Sequence, residues 1–271
     1  MKHILLIGTA LCLVACSASA PDSKTETPPT DTFLQSVMKD YPATLANIAP
    51  DVWVHTTNYK LPGQAPIASN GLVVVDGDDV ILVDGAWGEL ATVALLETIK
   101  DELGKPVTKM IITHHHPDRI AGVDAAERAD IQVFTHPDTP TLAARNGYPV
   151  PNTSVASLKE PQSRTRVGAV EIAYPGPGHA ADNLVVYLPE SNILYGGCAV
   201  RGAETKTLGN TESADLTAWP ISLNWVKATY PNTALVVPGH GKGADLSLID
   251  GTLALLAERA NATENESGDT P

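Results

Sequence analysis

The stretch from Val107 to Thr113, with Met110-Ile111-Ile112 at its centre, leads without a break into His114-His115-His116-Pro117-Asp118. It reads as a buried-type strand, so it has to end at a sheet edge where a loop can carry three imidazoles and a carboxylate out of the core. Two residues apart, His114 and His116 can face the same way while His115 faces the other. Pro117 disfavours helical geometry at His116 and turns the chain, which lets Asp118 approach from a different side. Imidazole and carboxylate are both good zinc ligands. Taken alone, a histidine run is also compatible with a solvated loop.

The remainder of the chain repeats the pattern of a strand followed by a polar, glycine-bounded loop. Gly178-His179 follows Pro175-Gly176-Pro177, and Gly196-Gly197-Cys198 and Pro238-Gly239-His240-Gly241 each close an apolar run. Glycine there lets backbone approach a ligand closely. Strands are expected at Val52 to Asn58, at Gly71 to Val75 and Val80 to Val83 around the turn Asp76-Gly77-Asp78-Asp79, and at Ile131 to Thr135. Further strands are expected at Arg166 to Ala173, Leu184 to Leu188, Ile193 to Tyr195 and Ala234 to Val237. Helices are expected at Leu90 to Leu103, stopped by Gly104, and at Ala125 to Ala129, Pro140 to Asn146, Leu223 to Thr229 and Leu246 to Arg259. Two sheet-plus-helix halves predict two packed sheets with helices outside, an αββα sandwich of the α/β class.

The termini have a different character. Lys2 and His3 precede the apolar run Ile4 to Val14, which is too short to span a bilayer. The run ends Leu13-Val14-Ala15-Cys16, which resembles a bacterial lipobox; cleavage after Ala18-Ser19-Ala20 is the competing reading. The expected organisation is a lipoprotein signal peptide over 1–15, a disordered tether over 16–30, one domain over 31–260 and a disordered tail over 261–271. The protein is then periplasmic, anchored to the outer membrane through a lipid on Cys16 if the lipobox is used. Of the three cysteines, Cys12 leaves with the signal and Cys16 is lipidated or lost, so Cys198 remains alone in an oxidising compartment. A lone thiol there is a liability unless something such as a metal occupies it. The net charge of −13, from 31 acidic and 18 basic residues, repels phosphate backbones and argues against nucleic acid as a partner.

Together these segments resemble the metallo-β-lactamase superfamily and, within it, the cysteine-bearing B1 subclass, over about Val52 to Ala260. The resemblance extends to Ser69-Asn70-Gly71-Leu72 and Val83-Asp84-Gly85-Ala86-Trp87-Gly88. The stretches Gly178-His179 through Tyr187, Leu194 through Cys198, and Pro238-Gly239-His240-Gly241 look close to the VIM type. The resemblance implies two zinc ions, one on His114, His116 and His179 and the other on Asp118, Cys198 and His240. It implies attack of metal-bound hydroxide on the amide of penicillins, cephalosporins and carbapenems, and a monomer. Other branches carry a histidine after the aspartate and an aspartate bridging the metals; here Arg119 and Cys198 stand in those places. Asn210 matches a position whose amide approaches the lactam carbonyl, and Asp118 is also placed to orient the water. Arg201, or alternatively Lys206, is expected to take the substrate carboxylate. Arg119 is expected beside the metal ligands rather than on the substrate, and Leu61 and Trp87 as apolar cover. Another di-zinc hydrolase acting on a lactone, thioester or phosphoester is the alternative function, and a zinc-storing lipoprotein a third.

Overall fold

A computed structural model describes residues 31–60 and 63–268. Leu61 and the lipidation candidate Cys16 lie outside the described residues. The order of elements is α1 (Asp31–Asp40), β1 (Thr44–Ala49), β2 (Val52–Tyr59), β3 (Ile67–Asp76), β4 (Asp79–Val83), α2 (Glu89–Leu103) and β5 (Lys109–Ile111). There follow α3 (Pro117–Ile120), α4 (Val123–Arg128), β6 (Gln132–Phe134), α5 (Thr139–Arg145), β7 (Ser163–Val167), β8 (Val170–Tyr174) and β9 (Val185–Leu188). The chain closes with β10 (Ile193–Gly197), α6 (Ala218–Thr229), β11 (Leu235–Pro238) and α7 (Ser247–Gly268). Among the described residues the strands form a six-stranded sheet in sequential order β1 to β6 and a five-stranded sheet ordered β11-β10-β9-β8-β7.

Strand alternation explains why four layers stack. Leu72 and Val74 of β3, Ile81 and Val83 of β4 and Ile111 of β5 point inward, where they meet Ile172, Tyr174, Val186, Tyr195 and Val237 of the other sheet. Their neighbours Val73, Val80, Leu82, Met110 and Ile112 point outward into a second cluster with Leu95 and Ile99 of α2 and Ile120 of α3. Ala173, Val185, Leu194 and Val236 do the same on the far side, under Trp219, Leu223 and Val226 of α6 and Ile249 of α7. A strand buried on both faces has no polar alternation, which is why Met110-Ile111-Ile112 reads as a continuous apolar run.

Four expectations change. The strand expected at Arg166 to Ala173 is a hairpin, β7 and β8, pairing Val167 with Val170 across Gly168 at φ +56°; a glycine in the left-handed region turns the chain where β-branched flanks suggest continuity. The strand expected over Val107 to Thr113 pairs only at Lys109–Ile111. Residues 31–49 add α1 and β1, and α1 packs on α2. The closing helix runs on to Gly268, so part of the tail expected to be disordered over 261–271 is helical. Asn261-Ala262-Thr263-Glu264 holds no proline or glycine to stop a helix already formed.

One close approach locks the first sheet. A Cβ at Gly71 would lie 2.1 Å from His55 Nε2 and 2.2 Å from the Val83 carbonyl oxygen. His55 is buried, and its Nε2–H donates to the carbonyls of Asp84 (3.0 Å) and Val83 (3.3 Å). Burial, outweighing those carbonyls, pulls its pKa down to about 4, so the ring is neutral near pH 7. Gly71→Ala is expected to lower stability by about 1–3 kcal/mol through overpacking, read as a shift of the denaturant midpoint. An unshifted midpoint would show that β2, β3 and β4 part without cost.

Candidate metal centre

Parallel pairing of β4 with β5 and of β10 with β11 sends the strand ends to one edge. His114 follows β5, Cys198 follows β10, His240 follows β11, and His179 lies in the loop between β8 and β9. His116 is extended (φ −72°, ψ 152°) and Pro117 starts α3, so the chain turns at the expected point and presents Asp118 one residue into that helix.

His114 Nε2 lies 3.1 Å from His116 Nδ1, which lies 3.1 Å from His179 Nε2, and the three rings stand nearly perpendicular to one another. Burial, reinforced by the neighbouring imidazoles, holds His114 well below the usual histidine range and His179 down to about 3. Burial and His115 lower His116 as well. Three neutral imidazoles aiming ring nitrogens at one point form a donor set that a soft-to-borderline cation completes.

The second group is adjacent. Asp118 Oδ2 is 2.9 Å from His240 Nε2 and 3.5 Å from Cys198 Sγ. Donor atoms of His114, Asp118 and Cys198 all lie within 4.8 Å of one another, as do those of His114, His116 and His179. Burial alone would raise the Asp118 carboxyl, but Arg119 and the hydrogen bond from His240 hold it well below the carboxylate range. His240 Nδ1–H donates to the Ala68 carbonyl at 2.7 Å, which leaves Nε2 facing Asp118 and Cys198. Against burial, Cys198 and the hydrogen bond with Asp118 push His240 up to about 9. The place where a proton is held is where a divalent cation fits.

Arg119 is buried beneath this group. Its Nη1 donates to the Asn70 carbonyl (2.7 Å) and Tyr195 hydroxyl (3.1 Å), and its Nη2 to Cys198 Sγ (3.1 Å) and the Gly239 carbonyl (2.9 Å). The same Nη2 is 3.0 Å from Asp118 Oδ2. Three further residues shape the site without an assigned role in the sequence reading. Asp84, at φ +59°, accepts from Thr113 N and Oγ1 (both 2.8 Å) immediately before His114. Tyr195 lies 2.8 Å from Asp84 Oδ2 and 2.7 Å from the Asn70 carbonyl. Asn70 Nδ2 donates to Pro238 and Gly241 carbonyls, bracketing His240. Their signal in the sequence was the polar residue abutting an apolar strand.

A cleft of about 330 Å³ opens over His116, Asp118, His179, Cys198 and His240. Trp87, stacked on Tyr59 at 4.3 Å, lines it with Arg201 and Asn210. Lys206 borders two other hollows beside α7. Asn210 Oδ1 accepts from Glu212 N at 2.9 Å, an Asx turn. Asn146, Tyr148, Glu212 and Ser213 line the same cleft and were not anticipated. In a Ser-x-x-Lys spacing, Ser36-Val37-Met38-Lys39, the serine and lysine are exposed on α1 and neither lines the cleft.

An αββα sandwich with imidazole, carboxylate and thiolate donors at its loop edge defines a metal-dependent hydrolase. Residues 65–240 match the Metallo-beta-lactamase superfamily, and the chain belongs to it. It is 37% identical over 258 residues to a metallo-beta-lactamase type 2 from Bacillus sp. (strain 170), covering 93% of this chain and 95% of the relative. With that from Bacillus cereus it shares 40% over 215 residues, covering 78% and 82%. The solved structure of metallo-beta-lactamase FIM-1 from Pseudomonas aeruginosa, in its mono-zinc form, superposes with a TM-score of 0.77 at 34% identity, covering 80% of this chain and 96% of its own. The family is zinc-dependent, and the donors assembled here suit zinc.

Proposed function

We propose that this chain is a di-zinc β-lactamase of the cysteine-bearing B1 subclass, near the VIM type, hydrolysing penicillins, cephalosporins and carbapenems. The carrying observation is the buried Cys198 beside Asp118 and His240, adjoining three convergent imidazoles, at the floor of an open cleft. Arg119 in the place of a histidine and Cys198 in the place of a bridging aspartate support the subclass. His114, His116 and His179 would hold one zinc; Asp118, Cys198 and His240 would hold the other. Zinc there supplies a Lewis acid and brings the pKa of water from about 15.7 to about 7.

The protein's own groups do the rest. Asp118 keeps a carboxylate at the boundary of the two donor sets, where it accepts a hydrogen bond from water and fixes its orientation. Arg201 lines the cleft and receives the substrate carboxylate, bidentately where geometry allows. The Asx turn ties up Asn210 Oδ1, so Nδ2 is the group that faces a lactam oxygen as charge develops on it, a donor of the kind worth about 3 kcal/mol. Trp87 on Tyr59 gives the drug an apolar wall. Export by the N-terminal leader, with anchoring at Cys16, and action as a monomer complete the reading.

Hydrolysis of a chromogenic cephalosporin, followed before and after dialysis against a chelator, tests it. Activity should fall at least about 100-fold on chelation and return with zinc, as expected when the Lewis acid is lost. Zinc-loaded protein that leaves the lactam intact would exclude this function and point to a lactone, thioester or phosphoester hydrolase.

A further inference from the structure

His115 lies between two candidate ligands but turns away from them. Its Nδ1 is 2.8 Å from Asp182 Oδ1, and the other oxygen of Asp182 accepts from Thr139 Oγ1, also at 2.8 Å. His115 is 2% exposed, and Asp182 and Thr139 are fully buried. Asp182 sits three residues beyond His179 in the β8–β9 loop, and Thr139 is the first residue of α5. The unit therefore joins the segment that carries His114 and His116 to the segment that carries His179.

We propose that His115, Asp182 and Thr139 are positioning residues that set the spacing of the three imidazoles at the first zinc site, an inference resting on the ligand reading above. A backbone bond from Leu184 N to the Thr113 carbonyl (2.8 Å) also joins these segments. Other bonds on the His179 loop, from Asp215 N to the Gly178 carbonyl and from Tyr174 Oη to the Ala181 carbonyl, tie it to its own half of the fold and not to the His114–His116 segment. The His115–Asp182 bond is a second attachment between the two ligand-bearing segments, and two attachments fix their relative placement where one leaves it less constrained. Within the loop, Asn183 Oδ1 accepts from Ala180 N at 2.9 Å, stiffening the stretch between His179 and Asp182. The ring of His115 packs against that of His116 at 4.7 Å and against that of His114 at 6.5 Å, so fixing one ring restrains the others. A buried carboxylate held by imidazole and hydroxyl adds little stability over a well-packed apolar substitute. What it adds is direction, because each oxygen accepts along one line.

The unit makes contact with neither Asp118, Cys198 nor His240 in any hydrogen bond among the described residues, so its loss should act on one metal and spare the other. Asp182→Ala is expected to weaken zinc at the first site by about 10–100-fold, the usual effect of removing a partner that orients a ligand. Competition with a chromophoric chelator reads that affinity. Cobalt substitution reads the second site through the thiolate charge-transfer band of Cys198, which should persist unchanged. Asp182→Asn, which keeps an acceptor for His115, should restore most of the affinity; an asparagine variant as weak as the alanine one would assign the effect to charge and overturn positioning. Wild-type first-site affinity in Asp182→Ala, or equal weakening at both sites, would overturn the proposal too. Should Asp182→Ala fail to fold, the shape-preserving Thr139→Val decides: weaker first-site zinc with an intact cobalt band supports it, and unchanged affinity overturns it. Wild-type protein that bound no zinc would instead remove the ligand reading on which it rests.

Discussion

Arg119→Ala is expected to destabilise the zinc-free protein by about 3–5 kcal/mol, the cost of removing one partner from a buried ionic group. The side chain is fully buried, and its guanidinium contacts Asp118 Oδ2 (3.0 Å), an oxygen it shares with His240 Nε2 (2.9 Å), with Asp84 Oδ2 at 3.7 Å. Alanine would leave two buried carboxylates without it, and would remove one hydrogen bond from each of the Asn70 and Gly239 carbonyls, which keep Tyr195 Oη and Asn70 N as their remaining donors. Burial already raises the Asp84 carboxyl against the pull of Arg119, so loss of the arginine would raise it further. Lysine keeps the charge but not the fork that reaches Asn70 and Tyr195 on one side and Cys198 and Gly239 on the other. Arg119→Lys should therefore fall between wild type and alanine. Equilibrium unfolding in chelator measures both variants, and an alanine variant within about 1 kcal/mol of wild type would contradict the burial-and-pairing account.

Cys198→Ser is expected to lower kcat/KM for a chromogenic cephalosporin by at least about 100-fold, or about 2.7 kcal/mol at 1.36 kcal/mol per tenfold. The thiol is buried at 2% exposure; Arg119 Nη2 donates to it at 3.1 Å, and it donates to Asp118 Oδ2 at 3.5 Å. Serine occupies nearly the same space, so packing is preserved. Its hydroxyl does not ionise near neutral pH and is a harder donor, which weakens a borderline-soft metal such as zinc. Zinc binding should drop toward one ion per chain at moderate free zinc, with the loss at the Asp118 and His240 side. Unaltered stoichiometry and turnover would remove Cys198 from the ligand set.

The degree to which the chain announced its structure varied with how local the cause was. The hairpin of β3 and β4 and the helix α2 were legible because their signals, an Asp-Gly turn and a glycine at φ +67° after Leu103, act over a few residues. The β7–β8 hairpin was misread because Gly168 turns within a run whose flanks both favour strand. The end of α7 was misread because a polar, acidic composition resembles a tether whether or not a preceding helix propagates into it. At the site, the residues that bear polar atoms at strand ends stood out, whereas Asp84 and Asn70 act through backbone carbonyls and amides more than 25 residues distant in sequence.

His114, His116, Asp118, His179, Cys198 and His240 were thus singled out by residue type and by following strands, and those properties belong to the sequence itself. Their convergence belongs to the tertiary structure: parallel pairing carries the ends of β5, β10 and β11 to one edge and brings ring nitrogens to 3.1 Å. Only there do Arg201 and Lys206, five residues apart, part company: both border a hollow beside α7, and of the two Arg201 alone also lines the cleft. The same is true of His115, a third histidine by spelling and a partner of Asp182 by position. Residue chemistry is written locally. Which donor faces which void is set by how two sheets pack, because distances across the fold depend on every strand between them.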